Sequence, residues 1–211
     1  MKLRLCSIIA LAFFAAGVFT AGTERADAQA PASASRNWAL EGAKTGTVLP
    51  PDLMKVNYFS NANTAGAPDG TVRLTNPGTS GGNICAQIYV FDPNQEMSEC
   101  CACLLTPNGL RTLSVNTDLT SNPLTGVKLT SGEVSIVSGF TTSNVCSPLN
   151  PIVISGFRAW GTHIQNSNFS ITETEYSDRQ LSTGNDNLLN GCYAIALDGS
   201  GHGTCSCGTG D

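Results

Sequence analysis

The stretch SECCACLLTPNGL, Ser98–Leu110, puts three cysteines into four positions: Cys100, Cys101 and Cys103. Whether they are metal ligands, a redox centre or covalent staples decides the fold. Read as a CC-x-C run, matched by the C-x-C of Cys205 and Cys207, they fit neither the spaced pairs of structural zinc nor a thioredoxin-like motif. The compartment then settles the choice, because thiols in an oxidising environment pair.

The N-terminus names that compartment. Lys2 and Arg4 precede an apolar run over Leu5–Phe19, and Ala26-Asp27-Ala28 supplies the small residues of a cleavage site. This is the pattern of a secretory signal peptide, too short for a membrane anchor. Cleavage is expected after Ala28, and Cys6 leaves with the signal. No later apolar stretch is long enough to insert in a bilayer, so no membrane insertion is expected after cleavage. The organisation expected is a signal peptide over 1–28, a linker and N-terminal segment over 29–50 ("QAPASASR" at its start), and a disulfide-rich domain over 51–211.

Of nine cysteines, eight remain once Cys6 is removed: Cys85, Cys100, Cys101, Cys103, Cys146, Cys192, Cys205 and Cys207. An even number in a secreted chain implies a disulfide framework. In a strand, Cys101 and Cys103 point to one face and Cys100 to the other. The shared C-x-C spacing makes Cys205 and Cys207 the expected partners of Cys101 and Cys103; of the pairings open to the remaining four, Cys85 with Cys100 and Cys146 with Cys192 is the one expected. No metal site and no cofactor are expected.

Strand signals recur at short spacing: Leu53–Ser60, Thr71–Thr75, Asn83–Asp92, Arg111–Asn116, Gly132–Phe140, Pro151–Gln165 and Phe169–Ser177. Turn-rich segments such as "APDG", "NPGTSGG" and "SNPLTG" separate them. Seven strands without βαβ alternation predict a mainly β fold: a disulfide-stapled antiparallel β-sandwich, with an immunoglobulin-like arrangement open to it. A hairpin joined by Gln165–Asn168 would set Trp160 against Glu173, Arg158 against Glu175, His163 against Ser170, and Phe157 against Tyr176. One short C-terminal helix is expected, because Leu188, Leu189, Cys192 and Ile195 fall at helical spacing. Ser182 or Thr183 would cap it, while Gly184 and Gly191 weaken it.

Around "VRLTNPG", "ICAQIYVFD", "SECCACLLTPNGL", "RAWGTHIQ" and "GSGHGTCSCG", the chain resembles a group of secreted bacterial cysteine-rich β-domain proteins with no named activity. The likeness covers about Thr71 to Gly208. It implies secretion and a β-rich domain, and it brings no activity with it.

Composition bears on function. The chain carries a formal charge of −5, and 13% of its residues are charged, about half the usual ~25%. The first 28 residues hold three basic and two acidic side chains, so the mature part carries −6. Without a basic cluster, no nucleic-acid partner is expected. Only two histidines exist. His163 is read as a sheet residue. His202 sits in a glycine-rich turn with Asp198 and Ser200, a poor holder of triad geometry, and no G-x-S-x-G elbow is present. Glu173 and Glu175 share one strand face and are read as exposed charges, not a glycosidase pair. Trp160 is read as filling the core. If its strand face were wet, Trp160 with Arg158 would form a binding surface for a sugar or a partner.

Three functional readings follow. The first is a secreted, periplasmic or cell-surface structural or adhesive domain, non-enzymatic, that self-associates or contacts other surface proteins or glycans. The second is a soluble extracytoplasmic glycan- or ligand-binding module. The third is an enzyme whose site the sequence does not display.

Overall fold

Alternating inward and outward residues build nine strands in this computed structural model, which describes residues 53–122, 126–149, 153–179, 181, 186–198 and 203–208. The segments 1–28 and 29–50, and the Ser182/Thr183 cap, lie outside the described residues. The strands are β1 (Met54–Ser60), β2 (Thr71–Thr75), β3 (Ile84–Phe91), β4 (Met97–Leu105), β5 (Leu110–Ser114), β6 (Ser131–Phe140), β7 (Arg158–Gln165), β8 (Ser170–Glu175) and β9 (Ser177–Arg179). They form an antiparallel sandwich: a five-stranded sheet ordered β4-β3-β6-β1-β9, and a four-stranded sheet ordered β5-β2-β7-β8.

Between the sheets lies a core of Phe59, Val72, Leu74, Ile84, Ile88, Leu113, Ile136 and Phe157, all buried. Residues at i and i+2 of each strand supply it, as a pleated ribbon requires. The five-stranded sheet is also covered on its outer face. There Tyr89, Cys100 and Val137 pack with Leu188 and Cys192 of the α-helix α1 (Asp186–Tyr193). Gly191, a weak helix former, is explained by packing: a Cβ there would lie 3.0 Å from Met97 Cε. Among the described residues, no helix is long and apolar enough to cross a membrane.

Four expectations about the strands need correction. The cysteine run, not counted among the seven expected strands, is itself strand β4, nine residues long. The strand expected from Pro151 begins at Arg158; before it, Val153 makes only an isolated bridge to Gly139. The segment Phe169–Ser177 is not one strand. It breaks at Tyr176, whose buried ring turns the chain from β8 in one sheet to β9 in the other. Tyr176 N donates to Ala159 O at 2.9 Å, and Ser177 already pairs with Val56.

The β7–β8 hairpin is shifted by two residues from the expected register. Trp160 pairs with Glu175, Thr162 with Glu173, His163 with Thr172 and Gln165 with Ser170. The loop is Asn166–Phe169, closed by Phe169 N donating to Asn166 O at 3.2 Å. Both of its ends take positive φ, 61° at Asn166 and 53° at Phe169. Asparagine tolerates this region, but phenylalanine rarely enters it, so the sequence points the strand start to the wrong residue. A shift of two keeps every side chain on its face.

The eight expected cysteines make four disulfides. Cys101 and Cys103 both bond to the tail as expected, and the structure gives the order: Cys101 joins Cys205 and Cys103 joins Cys207. The other two pairs differ from expectation: Cys85 joins Cys146, and Cys100 joins Cys192. The β3–β4 register gives the reason. Cys85 stands opposite Leu104 and Cys100 opposite Tyr89, four rungs away. At ~3.3 Å per residue that is about 13 Å, well beyond the ~7 Å reach of a disulfide between Cα atoms.

Candidate functional site

The tail disulfides close one open side of the sandwich. Cys101 and Cys103 face the core, and Cys100 faces α1. The tail residues reached by these bonds run beside β4: Cys100 N donates to Gly203 O at 3.0 Å, and Cys205 N donates to Cys100 O at 3.2 Å. From the opposite sheet, Arg111 Nη1 donates to Cys207 O at 2.7 Å. The tail thereby covers the edges of both β4 and β5. Cys100 and Cys103 do stand at C-x-x-C spacing, a point missed when the run is read as CC-x-C. Strand alternation sends them to opposite faces and different partners. The sulfurs of Cys101, Cys103 and Cys207 lie within 4.8 Å of one another. Each is spent in a disulfide and offers a metal no thiolate.

The outer face of the four-stranded sheet holds both residues singled out as a binding surface. Contrary to expectation, Trp160 does not fill the core. Ala159 and Gly161 point inward, so Trp160 points out, half-buried, with Arg158 exposed beside it. Gly161 is tightly packed: a Cβ there would lie 3.0 Å from both Asn57 Nδ2 and Tyr176 Cε2. The narrow space inside β7 is thus already filled by β1 and by the crossing tyrosine, which leaves the indole the other side.

Across the strands, Trp160 lies between Arg73 on β2 and Glu175 on β8. Arg73 is ion-paired with Glu173, and Arg158 Nη1 with Glu175 Oε1 at 3.2 Å. These pairs are exposed and contribute little to stability. Their effect is to neutralise the face around the indole. Thr71 and Thr162, whose hydroxyls are 2.8 Å apart, continue it toward one end. The expected reading of Glu173 and Glu175 as sheet charges therefore matches their arginine partners.

His163 lies on the inner face of β7 and is buried. Its Nε2 shares a 2.6 Å hydrogen bond with Thr174 Oγ1, which also accepts from Asn57 Nδ2 at 3.2 Å. The Tyr58 ring covers it, with centroids 4.1 Å apart. Burial lowers its pKa from 6.5, partly offset by the Tyr58 backbone. His202 and Ser200 lie outside the described residues, as does the Asp198 side chain.

Sequence reasoning missed two buried ionisable groups. Lys55 on β1 points into the sandwich, where it meets Asp178 of β9 and lies 5.4 Å from the Phe157 ring centroid. Glu99 on β4 is buried, and its Oε1 has no hydrogen-bond partner. Their place in alternating strands was the available signal. Lys55 shares the face of Phe59, and Glu99 that of Cys101.

No family model matches the chain, and no curated protein matches it. One solved structure, titled "Crystal Structure of Thermotoga maritima 1070", aligns with 64% of this chain and 100% of its own at 10% identity, with a TM-score of 0.38. A likeness at that level does not establish a shared fold.

Proposed function

We propose that the mature chain is a secreted, non-catalytic structural or adhesive domain of the cell surface or an extracellular assembly. The observation that carries this reading is the outer face of the β5-β2-β7-β8 sheet. A partly exposed Trp160 sits there among charge-neutralised arginine and glutamate side chains and threonine hydroxyls. An aromatic platform with a polar surround is suited to contact, because tryptophan contributes much buried area with little loss of side-chain freedom. Four disulfides support service outside the cell. The buried, hydrogen-bonded His163 supports a non-enzymatic role, because acid–base work needs a group that reaches substrate.

The second reading, a soluble glycan- or ligand-binding module, is favoured by the same partly exposed indole. Light scattering over a concentration series and retention of the purified protein on its own cells separate the two. The adhesive reading expects self-association or cell retention that Trp160→Ala lowers at least about tenfold, with the fold intact by circular dichroism. A strictly monomeric protein that cells do not retain would overturn it. Turnover of an ester, peptide or glycoside that disappears in His163→Ala or His202→Ala would overturn the non-enzymatic part.

A further inference from the structure

We infer that a separate cavity on the outer face of the five-stranded sheet binds one neutral sugar ring. The cavity has a volume of about 220 Å³ and is walled by Cys85 and Gln87 of β3 and by Phe140, Thr141, Ser143 and Ser147. The Cys85–Cys146 disulfide pins the loop after β6 over β3 and so forms the wall. Thr141 Oγ1 donates to Val145 O at 3.0 Å, which holds that loop in a closed turn.

Three features select the ligand class. The first is charge. None of the residues lining the cavity carries an ionisable side chain, since Cys85 is disulfide-bonded. A charged ligand would find no counter-ion there, and desolvating it uncompensated is costly. The second is mixed chemistry. Phe140 offers an aromatic surface, while hydroxyls and one amide offer both donors and acceptors. A pyranose has that pattern, with apolar C–H faces and a rim of hydroxyls. The third is size. The volume lies below the roughly 300–1,000 Å³ typical of drug-sized ligands, which limits the occupant to about one ring.

Gln87 supplies the cavity's one amide. The side chain is 1% exposed and lines the cavity. Its Oε1 accepts from Tyr89 Oη at 3.4 Å, while its Nε2 donates to no described residue. The amide can donate to or accept from a sugar hydroxyl in the cavity. Gly139 leaves the amide its room, since a Cβ there would lie 2.8 Å from Nε2. The inference does not depend on whether the Trp160 face is adhesive.

The test is a 1H–15N NMR titration of the mature, oxidised protein with glucose, galactose, mannose and N-acetylglucosamine, each to about 100 mM, a range suited to weak binding near 1 mM. At least one sugar should give saturable shifts at the Gln87 side-chain amide and at Thr141–Ser147. Phe140→Ala and Gln87→Leu should each raise the dissociation constant at least about tenfold, whereas Trp160→Ala should leave it unchanged. Phe140 is partly exposed, so its variant is expected to fold, and its spectrum reports whether it has. No saturable shift with any of the four sugars, or shifts that centre on Trp160 and vanish in Trp160→Ala, would overturn the assignment.

Discussion

Lys55 on the first strand and Asp178 on the last are direct cross-strand partners, and their ion pair is asymmetric: the ammonium side chain is wholly buried, the carboxylate 41% exposed. Removing the two ends should therefore have unequal effects. Asp178→Ala leaves a charge inside the sandwich beside Phe157, with only the ring face for company. Breaking a fully buried pair costs about 3–5 kcal/mol. Solvent already reaches Asp178, so we expect about 1–3 kcal/mol here. Lys55→Met keeps the packing and removes the desolvated charge, and should be near neutral or stabilising. Urea unfolding of both variants checks this. Equal losses would mean that the pair contributes attraction, not a tolerated burial.

The tail disulfides each close a separation of 104 residues. Loop-closure entropy puts an upper value near 4–5 kcal/mol on such a bond, with about 2–4 usual. Replacing Cys101 and Cys205 together by alanine should lower stability by that usual amount and loosen the edges of β4 and β5, read as faster amide exchange at Cys100 and Arg111. A thiol reductant should lower the melting temperature of the native protein, and EDTA should leave it unchanged. Peptide mapping without reductant should recover Cys85–Cys146 and Cys100–Cys192, not Cys85–Cys100. Loss of stability with EDTA would return the cysteines to metal binding.

What the sequence displayed and what it hid follow from the range of each interaction. Strands β2 and β3 were legible because their signals are local: alternation in β2, and in β3 a short apolar run between turn residues. The pairing of Cys101 and Cys103 with the tail was legible because two C-x-C runs fit one another. The pairing of Cys85 was not, because it depends on the β3–β4 register, and register is a tertiary fact. The outward turn of Trp160 was hidden for a similar reason. Alternation says that Trp160 and Gly161 face opposite ways, but only the packing of Asn57 and Tyr176 against Gly161 says which way is in. The crossing at Tyr176 left no turn residue to mark it. The Gln87 cavity was invisible because a loop brought over by Cys146 completes it.

Gly132 tests the packing where β6 meets both neighbours. A Cβ there would lie 2.1 Å from Phe91 O and 2.7 Å from Phe59 Cζ. The first contact is with backbone, beside the register shift between Val90 and Phe91, and cannot be relieved by a rotamer change. Overpacking of this kind costs about 1–3 kcal/mol, and we place Gly132→Ala at the upper end of that range. Gly126→Ala meets nothing within 4 Å but has φ +67°, so it should cost only the strain of that backbone, about 1 kcal/mol. Chemical denaturation of the two variants compares a steric with a conformational effect. A Gly132→Ala protein as stable as the native one would mean that β3 and β6 separate more easily than their register implies.

Glu99 and His163 give stability opposite dependences on pH. Burial raises the Glu99 pKa from 4.5 to about 7, against the Asn122 backbone hydrogen bond and Lys128, which lower it. The folded state therefore holds a proton that the unfolded chain releases. Between pH 4.5 and 7 the folded form binds more protons, so stability falls as pH rises through that window and levels off above it. That difference corresponds to at most about 3–4 kcal/mol. For His163 the sign reverses. Its folded pKa lies below 6.5, so its contribution is present above pH 6.5 and is lost as pH falls below it. Glu99→Gln keeps the shape and removes the titration. Relative to the native protein, the variant should gain stability between pH 4.5 and 8, most of it by pH 7. His163→Gln should instead flatten the loss below pH 6.5, at some cost in stability at every pH because Thr174 loses its imidazole partner. Urea midpoints at half-unit pH steps for the native protein and both variants check this. A native-minus-Glu99→Gln difference that does not vary from pH 4.5 to 8 would mean that Glu99 is ionised in the fold and stabilised by Lys128, and that its burial does not govern its charge.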